Sequence, residues 1–91
     1  MSDSDLPYDD ATDDLLADLV RYLAEQLVDD PDAVEVQAID GDRATIYELT
    51  VAPTDLGKVI GRDGRTARAI RTLLAATSAR LRRRAILEIL E

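Results

Sequence analysis

Ninety-one residues are room for one domain with one modest core, small enough that a partner chain would not surprise. The chain lacks cysteine, histidine, tryptophan and phenylalanine. A disulfide framework and thiolate or imidazole metal sites are therefore excluded, and most catalytic constellations have no material. A net charge of -8 hides an asymmetry: residues 1–48 hold 15 acidic and 2 basic side chains, residues 49–91 hold 4 acidic and 9 basic. Such a division hints at an anionic partner beside an acidic segment, although an Asp-rich surface also serves solubility alone.

Residues 1–11 carry four aspartates, two serines and a proline, and are expected to be a disordered acidic leader. A domain over 12–91 follows. From Thr12 the spacing of Leu15, Leu16, Leu19, Val20, Leu23 and Leu27 predicts a helix with one apolar stripe. Asp13 and Asp14 suit its positive end, and Pro31 marks the stop. Val34, Val36 and Ala38 alternate with Glu35 and Gln37, Asp40-Gly41-Asp42 supplies a turn, and Arg43 to Val51 forms a second run. In that run Tyr47, Leu49 and Val51 share a face, so the pair predicts an antiparallel hairpin ended by Pro53.

Thr54-Asp55 has the look of a helix N-cap before Leu56-Gly-Lys-Val-Ile60, a helix of little more than one turn. A loop, Gly61-Arg62-Asp63-Gly64, separates it from a longer helix over about Arg65 to Leu81. In that helix Ile70, Leu73, Leu74, Thr77 and Leu81 are expected to face a sheet, with Arg68, Arg71, Thr72, Ala75 and Ala79 opposite. Ala85, Leu87 and Ile89 alternate with Ile86, Glu88 and Leu90 in a terminal strand. The order α-β-β-α-α-β is that of an α+β fold, with helices covering one face of a three-stranded sheet.

The glycine loop carries the chemistry. Glycine permits positive φ and close backbone approach, and the amides after Gly61 stand at a helix N-terminus that favours an anion. Arg62, Arg65 and Arg68 recur at intervals of three and Lys58 lies one turn earlier; from Lys58 to Arg84 there are nine basic residues and one acidic. A lone Gly-x-x-Gly is weak, because it equally marks a plain helical corner. Asp63 is an unhelpful charge beside a phosphate, yet Asp is also a favoured N-cap and is expected to cap the long helix. The run Arg80-Leu81-Arg82-Arg83-Arg84 either neutralises the negative end of that helix or extends a phosphate-contacting surface. Ala75 and Ala79 permit close approach of another helix, Leu73 is assigned to the core, and Tyr22 and Tyr47 are expected to pack.

Val59-Ile60-Gly61-Arg62-Asp63-Gly64-Arg65-Thr66, between two helices and after a hairpin, resembles the KH domain in its type II, bacterial arrangement. The longer stretch Leu56 to Arg71 is similar to the small bacterial single-KH proteins of the KhpA family. That resemblance covers about residues 12–91. It implies a non-catalytic, cytoplasmic binder of single-stranded RNA, an RNA chaperone or post-transcriptional regulator, without cofactor or metal. It also implies pairing with itself or with a larger KH-containing protein, KhpB; no membrane association is expected, because no apolar run approaches the roughly 20 residues that span a bilayer. Carried over by position, Gly61, Arg62, Asp63 and Gly64 form the backbone clamp, and Lys58, Arg65 and Arg68 add charge. Val59 and Ile60 line an apolar floor facing groups from the second strand. Aspartate at both glycines is expected to abolish binding and leave the fold near intact. The alternative is a protein–protein adaptor that keeps the fold and binds RNA poorly.

Overall fold

The computed structural model describes residues 8–91, with side chains from residue 15 onward. Helix α1 spans Tyr8–Leu27 and a 3-10 turn at Pro31–Ala33 leads into strand β1, Glu35–Asp40. Strand β2, Thr45–Thr50, is followed by a 3-10 turn at Pro53–Asp55 and the short helix α2, Leu56–Ile60. Another 3-10 turn, Arg62–Gly64, precedes helix α3, Arg65–Arg80, and strand β3, Ala85–Ile89, ends the fold. The expected order is therefore present. The first helix begins at Tyr8 rather than Thr12, so residues 8–11 of the expected leader are helical, and residues 1–7 lie outside the described residues. The side chains of Asp13 and Asp14, expected to suit the positive end of this helix, lie outside the described residues.

The sheet has the order β1-β2-β3, with β1 antiparallel to β2 and β3 parallel to β2. A parallel neighbour requires a crossover, and α2 and α3 supply it. Tyr47 and Leu49 on the central strand are fully buried beneath the helices, facing Ala38 and Val36 of β1 and Leu87 and Ile89 of β3. The other sheet face carries Ile39, Ile46 and Ile86 in one row and Gln37, Glu48 and Glu88 in the next. The hairpin is looser than a two-residue turn: four residues separate its strands, and Gly41 N–H donates to Ala44 C=O at 2.8 Å.

Helix α1 buries Leu16, Val20 and Ala24, an i, i+4 row, and α3 buries Ala67, Ile70, Leu74 and Ser78. Full burial of each leucine in this set contributes about 2 kcal/mol. Both rows are narrower than expected. Leu15 is 58% exposed, about 100° or more from the row that meets the sheet, whereas Leu27 is in line with that row and is exposed at the helix end. On α3 the error is the same: Leu73 is 44% exposed and Thr77 bonds its own helix, Oγ1 donating to Leu73 C=O at 2.9 Å. Ser78 takes the buried place because its hydroxyl is satisfied by Ala75 C=O at 3.1 Å. Tyr47 packs as expected, whereas Tyr22 is 59% exposed.

Helix α3 ends with Arg82 N–H donating to Ala79 C=O (3.1 Å) and Arg83 N–H to Ser78 C=O (2.9 Å). This is a Schellman ending, and it places Arg82 at φ 58° where glycine is the usual occupant. Holding a non-glycine residue there costs about 1 kcal/mol.

Candidate nucleic-acid interface

The loop between α2 and α3 is made by left-handed backbone. Gly61 has φ 79° and ψ 171°, a region essentially closed to side chains, and Thr66 occupies the space where its Cβ would go. Asp63 (φ 58°) and Gly64 (φ 74°) are consecutive left-handed residues, and they turn the chain into α3. Asp63 does not cap that helix. Gly64 holds the N-cap position and no side chain bonds the exposed amides. What aspartate supplies is tolerance of positive φ, which it shares with asparagine. Its carbonyl accepts from Arg68 Nη2 at 3.3 Å.

Behind the loop, α2 is fastened to the α1–β1 connection. Asp55 occupies the N-cap position but makes no cap bond; its buried carboxylate, 1% exposed, accepts from Asp30 N–H at 3.0 Å. Lys58 Nζ lies 3.3 Å from Asp29 Oδ2 and 3.5 Å from Asp55 Oδ1. The lysine expected to contact nucleic acid is thus already paired with two carboxylates. Burial pushes the Asp55 carboxyl up, but the backbone amides of Asp30 and Asp29 together with Lys58 outweigh it and hold it below the ordinary value. The Asp29 carboxylate, then Asp55, raises the Lys58 ammonium above its ordinary value.

A lowered carboxyl contributes stability that is complete above its unfolded pKa and is lost as pH falls through the folded one. The urea midpoint should therefore drop below about pH 4, and Asp55→Asn should flatten that part of the profile. An identical acid profile in the variant would remove Asp55 from the latch.

Beside the loop, α3 and β3 form the walls of a cleft. Thr45 N–H donates to Arg84 C=O and Leu90 N–H to Leu49 C=O, so the even residues of β3 bond to β2. Parallel pairing then turns the backbone groups of Ala85, Leu87 and Ile89 toward the opposite edge, along α3. The loop end of the cleft, about 430 Å³, is lined by Ile60, Gly64, Ala67, Arg68 and Arg71 against Ile89 and Glu91. It continues past Arg71 into a section of about 440 Å³ between Leu74, Ser78 and Leu87 that ends at Arg83 and Arg84. Arg71 Nε donates to Leu87 C=O at 3.4 Å and so bridges the two sections.

The expected site residues are sorted by this geometry. Gly61, Arg62, Asp63 and Gly64 form the loop, with Arg62 exposed; Ile60, Gly64 and Arg68 line the cleft. Val59 is fully buried in the core, because consecutive helical side chains point about 100° apart and only one of this adjacent apolar pair faces the cleft. The wall opposite Ile60 is the terminal strand and not the second, since β2 is central and has no free edge. Arg65 does not join the cleft but lies on the outer face of α3 with Ala69, Leu73 and Ala76. Arg71, assigned to the other side of the helix, is in the cleft; its i+3 relation to Arg68 was the available signal. Aspartate at Gly61 cannot leave the loop intact, because a Cβ there meets Thr66 Cβ at 2.7 Å and Thr66 N at 2.8 Å. Among the described residues no cluster of acidic side chains is placed to hold a metal ion, and no helix is long and apolar enough to cross a membrane.

The model of the KhpA/KhpB KH domain matches residues 17–89. A protein of Caldanaerobacter subterraneus named RNA-binding protein KhpA is 52% identical over 75 residues, which is 82% of this chain and 100% of that one. Proteins of the same name from Aquifex aeolicus and Borreliella burgdorferi are 49% identical over 76 residues and 50% over 74. These cover 84% and 81% of this chain and 96% and 90% of their own lengths. With the helix–glycine loop–helix and the sheet order already in place, the matched span takes in every element of the site: the chain belongs to the KhpA/KhpB family of KH domains.

Proposed function

We propose that this chain binds single-stranded RNA without catalysis, as a cytoplasmic RNA chaperone or post-transcriptional regulator. The observation that carries this is the left-handed loop at Gly61–Gly64 opening onto a cleft walled by an unpaired strand edge. Backbone amides at the loop and Arg62 and Arg68 suit phosphates, while Ile60, Ala67 and Ile89 offer an aliphatic surface to bases. The edge groups of Leu87 and Ile89 suit the hydrogen-bonding edges of those bases. Relatives in this family carry RNA binding in their names. Absence of tryptophan and phenylalanine is compatible with this mode, which needs no stacked rings.

Self-pairing, or pairing with a KhpB-like chain, is proposed to use the outer face of α3, where Leu73 is exposed beside Ala69 and Ala76. Leu73→Glu should then reduce the mass seen by sedimentation to that of one chain; an unaltered mass would place the contact elsewhere. The RNA reading is tested by fluorescence anisotropy of a labelled mixed-sequence single-stranded RNA at low and moderate salt. Saturable binding that weakens with salt is the expected result. No binding at micromolar protein, with the fold intact by circular dichroism, would overturn it in favour of the adaptor.

A further inference from the structure

At the end of the cleft away from the glycine loop, a second concavity of about 230 Å³ opens between the hairpin turn and the α3–β3 turn. Arg43, Arg82, Arg83 and Arg84 line it against one carboxylate, Asp42. The four arginines do not have the same status. Arg83 is committed to structure: its Nη2 donates to Thr45 Oγ1 at 2.7 Å and lies 3.8 Å from Asp40 Oδ1. Thr45 Oγ1 in turn donates to Asp40 Oδ1 at 3.0 Å, and Thr45 N–H to Arg84 C=O at 2.9 Å. These bonds pin the two turns together.

Arg43, Arg82 and Arg84 are exposed, and none forms an ion pair among the described residues. The pinned turn therefore presents three guanidinium groups around a hollow of suitable size for a phosphate, which guanidinium binds in bidentate fashion. Arg84 lines both this hollow and the end of the cleft, so the two adjoin. Arg82 is held there in a backbone conformation that glycine would adopt without cost, at the expense of stability.

We infer that this hollow is a second phosphate-binding position, which takes the backbone of an RNA strand as it leaves the cleft past β3. This rests on the RNA-binding reading and extends it: the footprint is longer than the segment clamped in the cleft, and its extra part is electrostatic. It also decides between the two roles open to the Arg80–Arg84 run, with Arg83 structural and its neighbours in contact with nucleic acid.

The test compares an RNA of about four nucleotides, the length one KH loop clamps, with one of about twelve. The variant is Arg43→Gln with Arg82→Gly, two positions that line the hollow and not the cleft, and glycine relieves the left-handed position and protects the fold. Long-RNA affinity should fall about tenfold, and the slope of log affinity against log salt should flatten by about 1–2. Short-RNA affinity should stay within about twofold. Unchanged affinity and slope for the long RNA overturn the inference while leaving the cleft reading in place. Binding of neither RNA by the unaltered chain overturns both. Inorganic phosphate, titrated against isotope-labelled protein, separates the sources of the anion. Shifts at the 82–84 amides that the variant lacks are expected. If they appear without any RNA-length effect, the hollow serves a free anion and the strand path is wrong.

Discussion

Gly64→Asp should weaken single-stranded RNA binding between tenfold and a hundredfold while the protein remains folded. Gly64 has φ 74° and ψ 14°, a conformation that aspartate enters more readily than other side chains, and Asp63 already holds it one residue earlier. There is room for the new side chain: the nearest atom to an added Cβ is Arg68 Nη2 at 4.0 Å. The backbone cost is about 1 kcal/mol, partly offset by the lower freedom of the unfolded chain. Binding suffers for two electrostatic reasons. The new carboxylate lies beside Arg68 and competes for a guanidinium that phosphate needs. It also stands at the mouth of the cleft, where repulsion from a phosphate about 5 Å away is worth about 1–3 kcal/mol at intermediate dielectric. Anisotropy measures the loss of affinity, and urea unfolding measures the backbone cost. Gly64→Ala is the control, adding a similar backbone cost without charge, and should change affinity less than about threefold. Equal affinities for the aspartate variant and the unaltered protein would mean that phosphate does not approach this loop.

Local pattern made most of the architecture readable, and long-range pairing made the rest unreadable. The hairpin was visible because Tyr47, Leu49 and Val51 recur at every second residue, and a slip of one would expose all of them. The loop was visible because Gly61 and Gly64 stand where positive φ is required. Helix faces are less legible, since apolar character does not by itself mean burial. Leu73 and Leu15 are apolar and exposed, while Ser78 is polar and buried once its hydroxyl meets a carbonyl of its own helix. The charges were the least legible part. Lys58 is one turn from the loop, but its nearest carboxylate is Asp29, from a connection that the sequence places far away. Nothing at short range says that Lys58 is spoken for, or that Asp55 spans to Asp30 instead of capping α2. Likewise, the edge of β3 becomes a wall of the cleft only because β3 joins β2 in parallel at the outside of the sheet. Sequence periodicity reports which residues share a face; it carries no record of which strand lies at the edge.

Gly61→Ala should be the most destabilising single methyl in the loop, costing about 3–5 kcal/mol from strain and overpacking together. A domain of this size has about 5–14 kcal/mol of stability in all, so the urea midpoint should fall by about a fifth or more. The contrast with Gly64 is the point of the experiment, because both residues have positive φ and only one is confined. At Gly61 the added methyl would meet Thr66 Oγ1, Thr66 Cβ at 2.7 Å and Thr66 N at 2.8 Å. Only the hydroxyl can turn away or be removed; Cβ is fixed to the backbone of the first turn of α3, and neither it nor the amide nitrogen yields without shifting the helix. Thr66→Ala in the same chain should therefore recover only a minor part of the loss, by relieving the hydroxyl and leaving the backbone contact and the unfavourable φ. Full recovery would show that the threonine side chain alone demands glycine at 61. A loss no larger than that of Gly64→Ala would show that the loop can adopt a different path, and the close approach of Gly61 to α3 would then have no part in fixing the clamp. If the large loss is found, the two glycines divide the work: Gly61 brings the short helix against the long one, and Gly64 leaves open the space into which a phosphate comes.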